Sequence, residues 1–523
     1  MKKTILLILF TIPFFVQSCN NEDSLETSSQ GQNIQFTDIE LVKLFQMRGE
    51  SHQVKINEAT KFANDVINFL DGQMTTRSGN SREISSVVIL SSDNIKSVKT
   101  RVSDSKTVEM PDTAAYLFNF ANSAGYAIIS GDKRIGSPIL GYSDSGSLTS
   151  EISNSGLIGI LADMEDYIVG SIIDYENNAD SIKKEILTKM NILNSTTKAM
   201  VPQLENYSLE IREMEDEYIP TTTSSTSTTT SGWVTTSIVQ PLLPVEWGQD
   251  FPFNNLVKNK NGCQSAPTGC VATALAQLMA YWQYPYSIDG YTFNWSLLRN
   301  YTARKDAYPN ASNKNVYITQ PYNLSLDELE FGSQVSRLME RIGGHIGMNY
   351  TNSSSGTQSE KAIDYLKTLG FKIGDFCDYD YNKIINSLNN NQPVFASGSD
   401  IKTVVQHHTL FGWINTVKNT SYSGHAWVID GYLNQRKATT VQVIVRSIAT
   451  GKVVSQTTTT TYSYGNYLHH SWGWDGFDSG YFVEGSYNSN NRAYQSITKA
   501  TTTVTGEDGN YQFLKKICPN IAR

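Results

Sequence analysis

The segment PTGCVATALAQLMAYW, residues 267–282, carries Val271, Ala274, Leu275, Leu278, Met279 and Trp282 at helical spacing, and that run begins immediately after Cys270. Thr268 is the expected N-cap, which places Cys270 in the first turn. There the unpaired backbone N–H groups and the helix dipole favour an anion, and such cysteines reach pKa values of roughly 3.5–7.5. A thiolate is the nucleophile that acyl transfer needs. The plainer reading of the same residue is a small side chain buried on a core helix.

A nucleophilic thiol needs a proton shuttle, and the chain has seven histidines, at 52, 345, 407, 408, 425, 469 and 470. His425 follows Gly424 and opens AWVIDGY, an apolar, strand-like run closed by Asp430 and Gly431. A nucleophile on a helix start and a base on a rigid strand about 150 residues later is an arrangement suited to Cys–His chemistry. A structural histidine before a strand is the alternative. The adjacent pairs His407/His408 and His469/His470 lack the i, i+4 spacing and carboxylate of a helical zinc motif, so neither a metal nor a cofactor is expected.

Outward from this core the chain divides. Lys2 and Lys3 precede an apolar run from Ile5 to Val16 that is too short to span a bilayer and reads as a signal segment. It ends in Val16, Gln17, Ser18 and Cys19, which resembles a lipobox, so residues 1–19 are expected to be a signal peptide ending at a lipidated Cys19. A cleavable signal with an incidental cysteine is the rival reading. Residues 20–37 form a polar tether.

Helical spacing recurs at Ile39, Leu41, Val42, Leu44 and Phe45, and again at Ala59, Phe62, Ala63, Val66, Ile67 and Leu70. The runs SSVVIL, AAYLFNF, GYAIIS and PILGYS between residues 85 and 143 predict an antiparallel sheet. A helix from about Gly156 to Leu187 follows, with Ile158, Leu161, Met164, Ile168 and Ile172 on one face. Residues 38–200 are therefore an α+β domain. The tract TTTSSTSTTTSG, residues 221–232, has nothing with which to build a core, so 201–232 reads as a linker and a processing region. Residues 233–523 form the second domain.

The whole is 523 residues, too many for one core, with 39% hydrophobic composition. A net charge of −8 excludes the cationic footprint of nucleic-acid binding. Five cysteines are too few for a disulfide scaffold. Of these, Cys263 precedes Cys270 in a loop-like segment with no helix start to activate it.

Several motifs in order resemble the streptopain family of papain-like cysteine proteases. TGCVATALAQLMAYWQYP resembles its nucleophile helix and GHAWVIDGY its histidine strand, while WGQDFPFNN resembles the segment that supplies an oxyanion-hole glutamine, here Gln249. RIGGHIGMNYTNSSSGT and NNNQPVFASG fill the interval, SWGWDGFDSGYF resembles the Trp-rich loop beside the histidine, and ISGDKRIGSPILGYSDSGS resembles the inhibitory prodomain. The resemblance implies a two-lobed catalytic domain, one lobe helical and one antiparallel β, behind an α+β inhibitory prodomain. It implies a zymogen of a cysteine endopeptidase; with the lipobox-like ending at Cys19, the chain is expected to be exported and lipid-anchored in a bacterial envelope at the surface or in the periplasm. Protein or peptide substrates and its own prodomain are the implied partners. Cys270 would be the nucleophile, His425 the base, and Gln249 an oxyanion donor.

Two departures stand out. Where the family usually has Asn before the Trp-Gly-Trp loop this chain has Ser471, so Trp472 is expected to pack over the imidazole, with Ser471 or His470 as its polar partner. Asp430 lies five residues along the strand from His425 and therefore on the opposite face. Segments 401–423 and 433–466 look inserted, the second carrying TTVQVIVRSI and KVVSQTTTTT as a β-hairpin. A Cys–His acyltransferase or transglutaminase-like enzyme, and an inactive surface-binding protein on a protease scaffold, are the competing readings.

Overall fold

The computed structural model describes residues 52–72, 82–93, 97–99, 107–152, 154–196, 207–214, 232–259, 262, 265–304, 315–317, 325–352, 354–399, 408–415, 424–447, 450, 453–484 and 514–523. The signal run, Cys19, the tether, the first apolar group at 39–45, Cys263 and most of the Thr/Ser tract lie outside these residues.

The first helix, α1 (Ile56–Gly72), buries Ala59, Ala63, Val66, Ile67 and Leu70, the face its spacing predicts. The four expected strands follow as β1 (Ile84–Ser91), β2 (Thr113–Phe120), β3 (Tyr126–Ser130) and β4 (Ile139–Ser143), paired antiparallel in sequence order. The second helix, α2 (Ser155–Thr196), runs well beyond the predicted end near Leu187 and buries Ile158, Leu161, Met164, Ile168 and Ile172.

Beyond it come β5 (Tyr207–Met214) and β6 (Trp233–Val239), then α3 (Cys270–Trp282), α4 (Leu326–His345), α5 (Ser359–Thr368) and α6 (Tyr381–Asn389). Residues Val271 to Ala280 of α3 are buried without exception. A helix buried on every side sits inside its lobe, and α4, α5 and the Trp295–Asn300 turn pack around it. The β lobe holds β7 (Val394–Ser399), β8 (His425–Ser447), β9 (Val453–Ser471), β10 (Gly480–Val483) and β11 (Leu514–Cys518).

These strands join the first domain in one twelve-stranded sheet. Its path runs β1-β2-β3-β4-β10-β9-β8-β7-β11 and ends on Cys377–Asp378. The seam is β4 against β10, with Gly480 opposite Ser143, Tyr481 opposite Tyr142 and Phe482 opposite Gly141. One hydrophobic core crosses it, since Phe482, Tyr481, Trp472 and Leu468 pack in the same cluster as Leu117, Ile128 and Leu161. The helical lobe keeps a separate core around Leu275, Leu278, Phe331 and Leu338. Burial thus divides the molecule between the lobes and not at the linker.

The segment 433–466 forms the expected hairpin, β8 and β9 pairing from Val428↔Ser471 to Arg446↔Val453. The opposite edge of β8 takes three strands in turn: β7 at its start, β6 along Tyr432 to Lys437, and β5 along Thr440 to Ser447. Inside 201–232, therefore, residues 207–214 add a strand to the hairpin. Their alternation YSLEIREM suits a sheet edge.

Candidate active site

Cys270 is the first residue of α3. The N-cap is Gly269, not the expected Thr268, and Gly269 has φ 87° with no side-chain cap. A Cβ there would lie 2.8 Å from Met348 Cε and 3.0 Å from the Ser355 carbonyl, so packing demands glycine. The Thr268 hydroxyl is spent on Thr273 Oγ1, 2.8 Å away. No side chain competes for the first-turn N–H groups, which remain directed at the thiol and whatever binds beside it.

Strand β8 supplies His425, buried, and Ala426, whose backbone N–H reaches the Cys270 thiol. The candidate nucleophile and the candidate base are therefore held by adjoining residues of one strand. His425 Nε2 donates to the Trp472 carbonyl oxygen at 3.0 Å. That bond fixes the tautomer, leaving Nδ1 as the basic nitrogen of the neutral ring. The imidazole is walled by Trp427, centroids 6.0 Å apart and 12° from parallel, and by Trp472 at 6.3 Å and 43°.

Trp472 thus packs beside His425 as expected, but the polar contact is its main chain. Ser471 and His470 go elsewhere: Ser471 Oγ donates to Gln277 Oε1 at 3.3 Å, and His470 Nδ1 accepts from Trp427 Nε1 at 2.8 Å. Alternation turns Ser471 away from the face that Trp472 and His470 share, and the His470 ring on that face is held by the Trp427 indole. Asp430 also serves elsewhere, bonding His469 Nδ1 at 2.6 Å and accepting Leu243 N–H at 3.1 Å. Burial lowers the His469 pKa, but the Asp430 charge and hydrogen bond together with the Asp144 and Glu246 charges outweigh it, leaving the group raised.

Gln249 is half-buried, and its backbone carbonyl accepts the Thr268 N–H at 2.9 Å, which sets it beside the loop that leads into Cys270. Among the described residues no cluster of His, Cys, Asp and Glu could hold a metal ion.

Electrostatics depart from the thiolate expectation. Burial pushes the Cys270 thiol up, only partly offset by the N–H groups of Ala426, Val271 and Cys270. Burial also drives His425 down to about 4, against the Trp472 carbonyl, which favours the charged ring. Both shifts favour the neutral forms of the pair. A helix start lowers a thiol pKa by 0.3–1 kcal/mol-scale dipole effects, on the order of what one turn supplies, and desolvation of a buried thiolate is larger.

The cover comes from the first domain. Gly156, at the start of α2, approaches so closely that a Cβ would stand 2.6 Å from His425 Cδ2 and 2.6 Å from Trp472 Cε3. Asn154 caps that helix, its Oδ1 accepting Leu157 N–H at 3.1 Å. Nearby, burial raises Asp478 to about 7, with the Asn154 amide pulling the other way. Farther along α2, Glu165 accepts the Phe411 N–H at 3.0 Å, and burial raises it to about 7 as well. The insertion at 401–423 thus places its described hairpin, His408–Thr409 with Ile414–Asn415, against the first domain. None of these contacts carries a sequence motif.

Residues 247–482 match the Peptidase C10 family, and residues 51–168 match the Spi protease inhibitor family. Streptopain of Streptococcus pyogenes serotype M1 is 26% identical over 408 residues, spanning 72% of this chain and 74% of streptopain. The thiol protease/hemagglutinin PrtT of Porphyromonas gingivalis is 27% identical over 200 residues, 36% of this chain and 20% of that protein. Among solved structures, a Prevotella intermedia prointerpain A fragment aligns at TM-score 0.41 and 18% identity, covering 80% of this chain and 98% of the fragment. The chain is a cysteine peptidase whose residues 247–482 are similar to the Peptidase C10 family, with an inhibitor-type domain ahead of them.

Proposed function

We propose that the chain is the latent precursor of an exported cysteine endopeptidase in which Cys270 is the nucleophile and His425 the proton shuttle. The observation that carries this reading is the meeting of three parts at one strand start: the thiol at the start of α3, the tautomer-fixed imidazole of His425, and the close approach of Gly156.

In the uncovered enzyme His425 Nδ1 takes the thiol proton and the thiolate attacks the scissile carbonyl carbon. The oxyanion is met by the Cys270 N–H and the Gln249 side-chain amide. Collapse breaks the C–N bond as the imidazolium returns its proton to the leaving amine, leaving a thioester. Water, deprotonated by His425, then attacks the thioester and releases the acid and the thiol.

Latency is assigned to the first domain, whose Gly156 packs against His425 and Trp472 beside the half-buried thiol. The raised Cys270 thiol and the lowered His425 both disfavour the reactive ion pair while Gly156 of the first domain crowds the imidazole. A cut between about Lys198 and Thr236 separates the domains covalently, yet β5, the β4–β10 seam and the shared core still hold them together. Release is then a rate, and maturation proceeds with a lag. Cys19 is proposed to be lipidated and to tether the precursor to the envelope, with residues 20–37 as spacer.

The test is peptide hydrolysis by the purified chain, followed in time alongside N-terminal sequencing. The Cys270→Ala precursor is expected to stay full-length alone and to be trimmed by added active enzyme. Transfer of the acyl group to an added amine in preference to water would assign an acyltransferase instead.

A further inference from the structure

We propose that His470 is a positioning residue for the catalytic imidazole, acting through the two indoles that wall it. This rests on the assignment of His425 as the proton shuttle.

The double histidine at 469–470 ends β9, and strand alternation sends its two rings to opposite faces. His469 turns to Asp430. His470 turns to the tryptophans, where it is wholly buried. Its Nδ1 accepts the Trp427 indole N–H at 2.8 Å, and its ring stacks on Trp472 with centroids 4.9 Å apart and planes 15° from parallel. Trp427 and Trp472 meet each other at 5.4 Å and both face His425.

Each indole is thus held at two points. Trp427 is bonded at Nε1 and lies parallel to His425; Trp472 is bonded from Nε1 to the Asp478 carbonyl at 2.9 Å and presents its own carbonyl to His425 Nε2. His470 contacts both indoles, accepting the Trp427 N–H and stacking on Trp472. Any shift of its ring moves the wall on one side of His425 and the acceptor on the other.

The chemistry of the position is narrow. A leucine or phenylalanine there would leave the buried Trp427 N–H without its acceptor. Imidazolium would carry a proton on Nδ1 and oppose donor to donor, so the working form is the neutral ring with its proton on Nε2. A residue that only filled space would have no such requirement.

The experiment compares matured wild-type enzyme with His470→Leu and His470→Gln. The leucine variant is expected to lose about 10²-fold in kcat with KM little changed, since small misplacement of a reacting group costs that much. The acid limb of its kcat/KM profile should move, because the environment of His425 has changed. Glutamine, whose Oε1 can accept the indole N–H, should recover most of the loss. A leucine variant with wild-type kcat and pH profile overturns the proposal. Equal loss in both variants with an unmoved profile also overturns it, since that is the signature of packing alone. Should the variants not fold, selective ¹⁵N-histidine NMR of the full-length Cys270→Ala chain decides: the Nε2–H tautomer of His470 is expected throughout about pH 5–8, the range in which free imidazole titrates. An Nδ1–H tautomer or an imidazolium signal contradicts it. Failure of wild-type enzyme to hydrolyse peptides would instead defeat the peptidase assignment of His425, and the NMR result would still stand.

Discussion

Two helices begin on either side of His425 and do opposite things there. Helix α3 starts with Cys270, is capped by glycine, and leaves its first N–H groups for chemistry. Helix α2 starts behind Asn154, which consumes one of those groups, and brings Gly156 against the imidazole and Trp472. One helix start is open and reactive, the other closed and inert. What differs is only the cap and the side chain of the first turn, a cysteine or none at all. The difference teaches that a blocking surface can be built from the same element as the site it blocks.

The comparison breaks first at the reactive end. Cys270→Ala and His425→Ala should each abolish peptide hydrolysis, and the double variant should be no worse, because the two act as one unit. Steady-state kinetics on matured enzyme checks this. Gln249→Ala is expected to lose about 10²–10³ in kcat, or ~2.7–4 kcal/mol, as one of two oxyanion donors is removed. A loss in KM alone would take Gln249 out of the oxyanion role.

At the inert end, Gly156→Val drives a side chain into His425 and Trp472, and overpacking of this kind costs about 1–3 kcal/mol. The precursor should then show activity without a lag and melt earlier, while the separated mature enzyme is unchanged. Zero-time hydrolysis and a thermal scan of the same preparation measure both.

A smaller effect is pH. Glu165 and Asp478 face the other domain from opposite sides, and burial raises both to about 7 from the usual 4.5 and 3.8. Raised carboxylates bind protons on docking, so docking is strongest below the separated values and weakens as pH climbs through about 7. The maturation lag should shorten from pH 5.5 to pH 8, on the order of the window between those values, and Glu165→Gln should flatten part of that slope. A lag that lengthens with pH contradicts the sign. The smallest change is expected for Cys263→Ala, which should retain most activity.

Reading the chain without coordinates goes far at the reactive end and little way at the inert one. The helix after Cys270, the strand at His425, the four strands from 85 to 143 and the hairpin at 433–466 all announce themselves by periodicity, because burial imposes it locally. The acceptor of His425 is a main-chain carbonyl, and every residue has one, so Trp472 could be foreseen only as a ring. The same holds for the Ala426 N–H on the thiol. Gly156 leaves no trace because its contribution is an absent side chain. Strand β5 sits in a segment otherwise read as linker, since its partner β8 is more than 200 residues away and edge pairing needs no core of its own. The thiol pKa went opposite to expectation because the helix start is visible in sequence and the cover over it is not.

The most direct measurement is labelling with an electrophilic cysteine reagent, mapped by peptide, on the uncut precursor and again after processing. Modification confined to Cys270, slow in the precursor and fast after processing, is the expected result. Equal rates before and after, or label on Cys263 in place of Cys270, would contradict it.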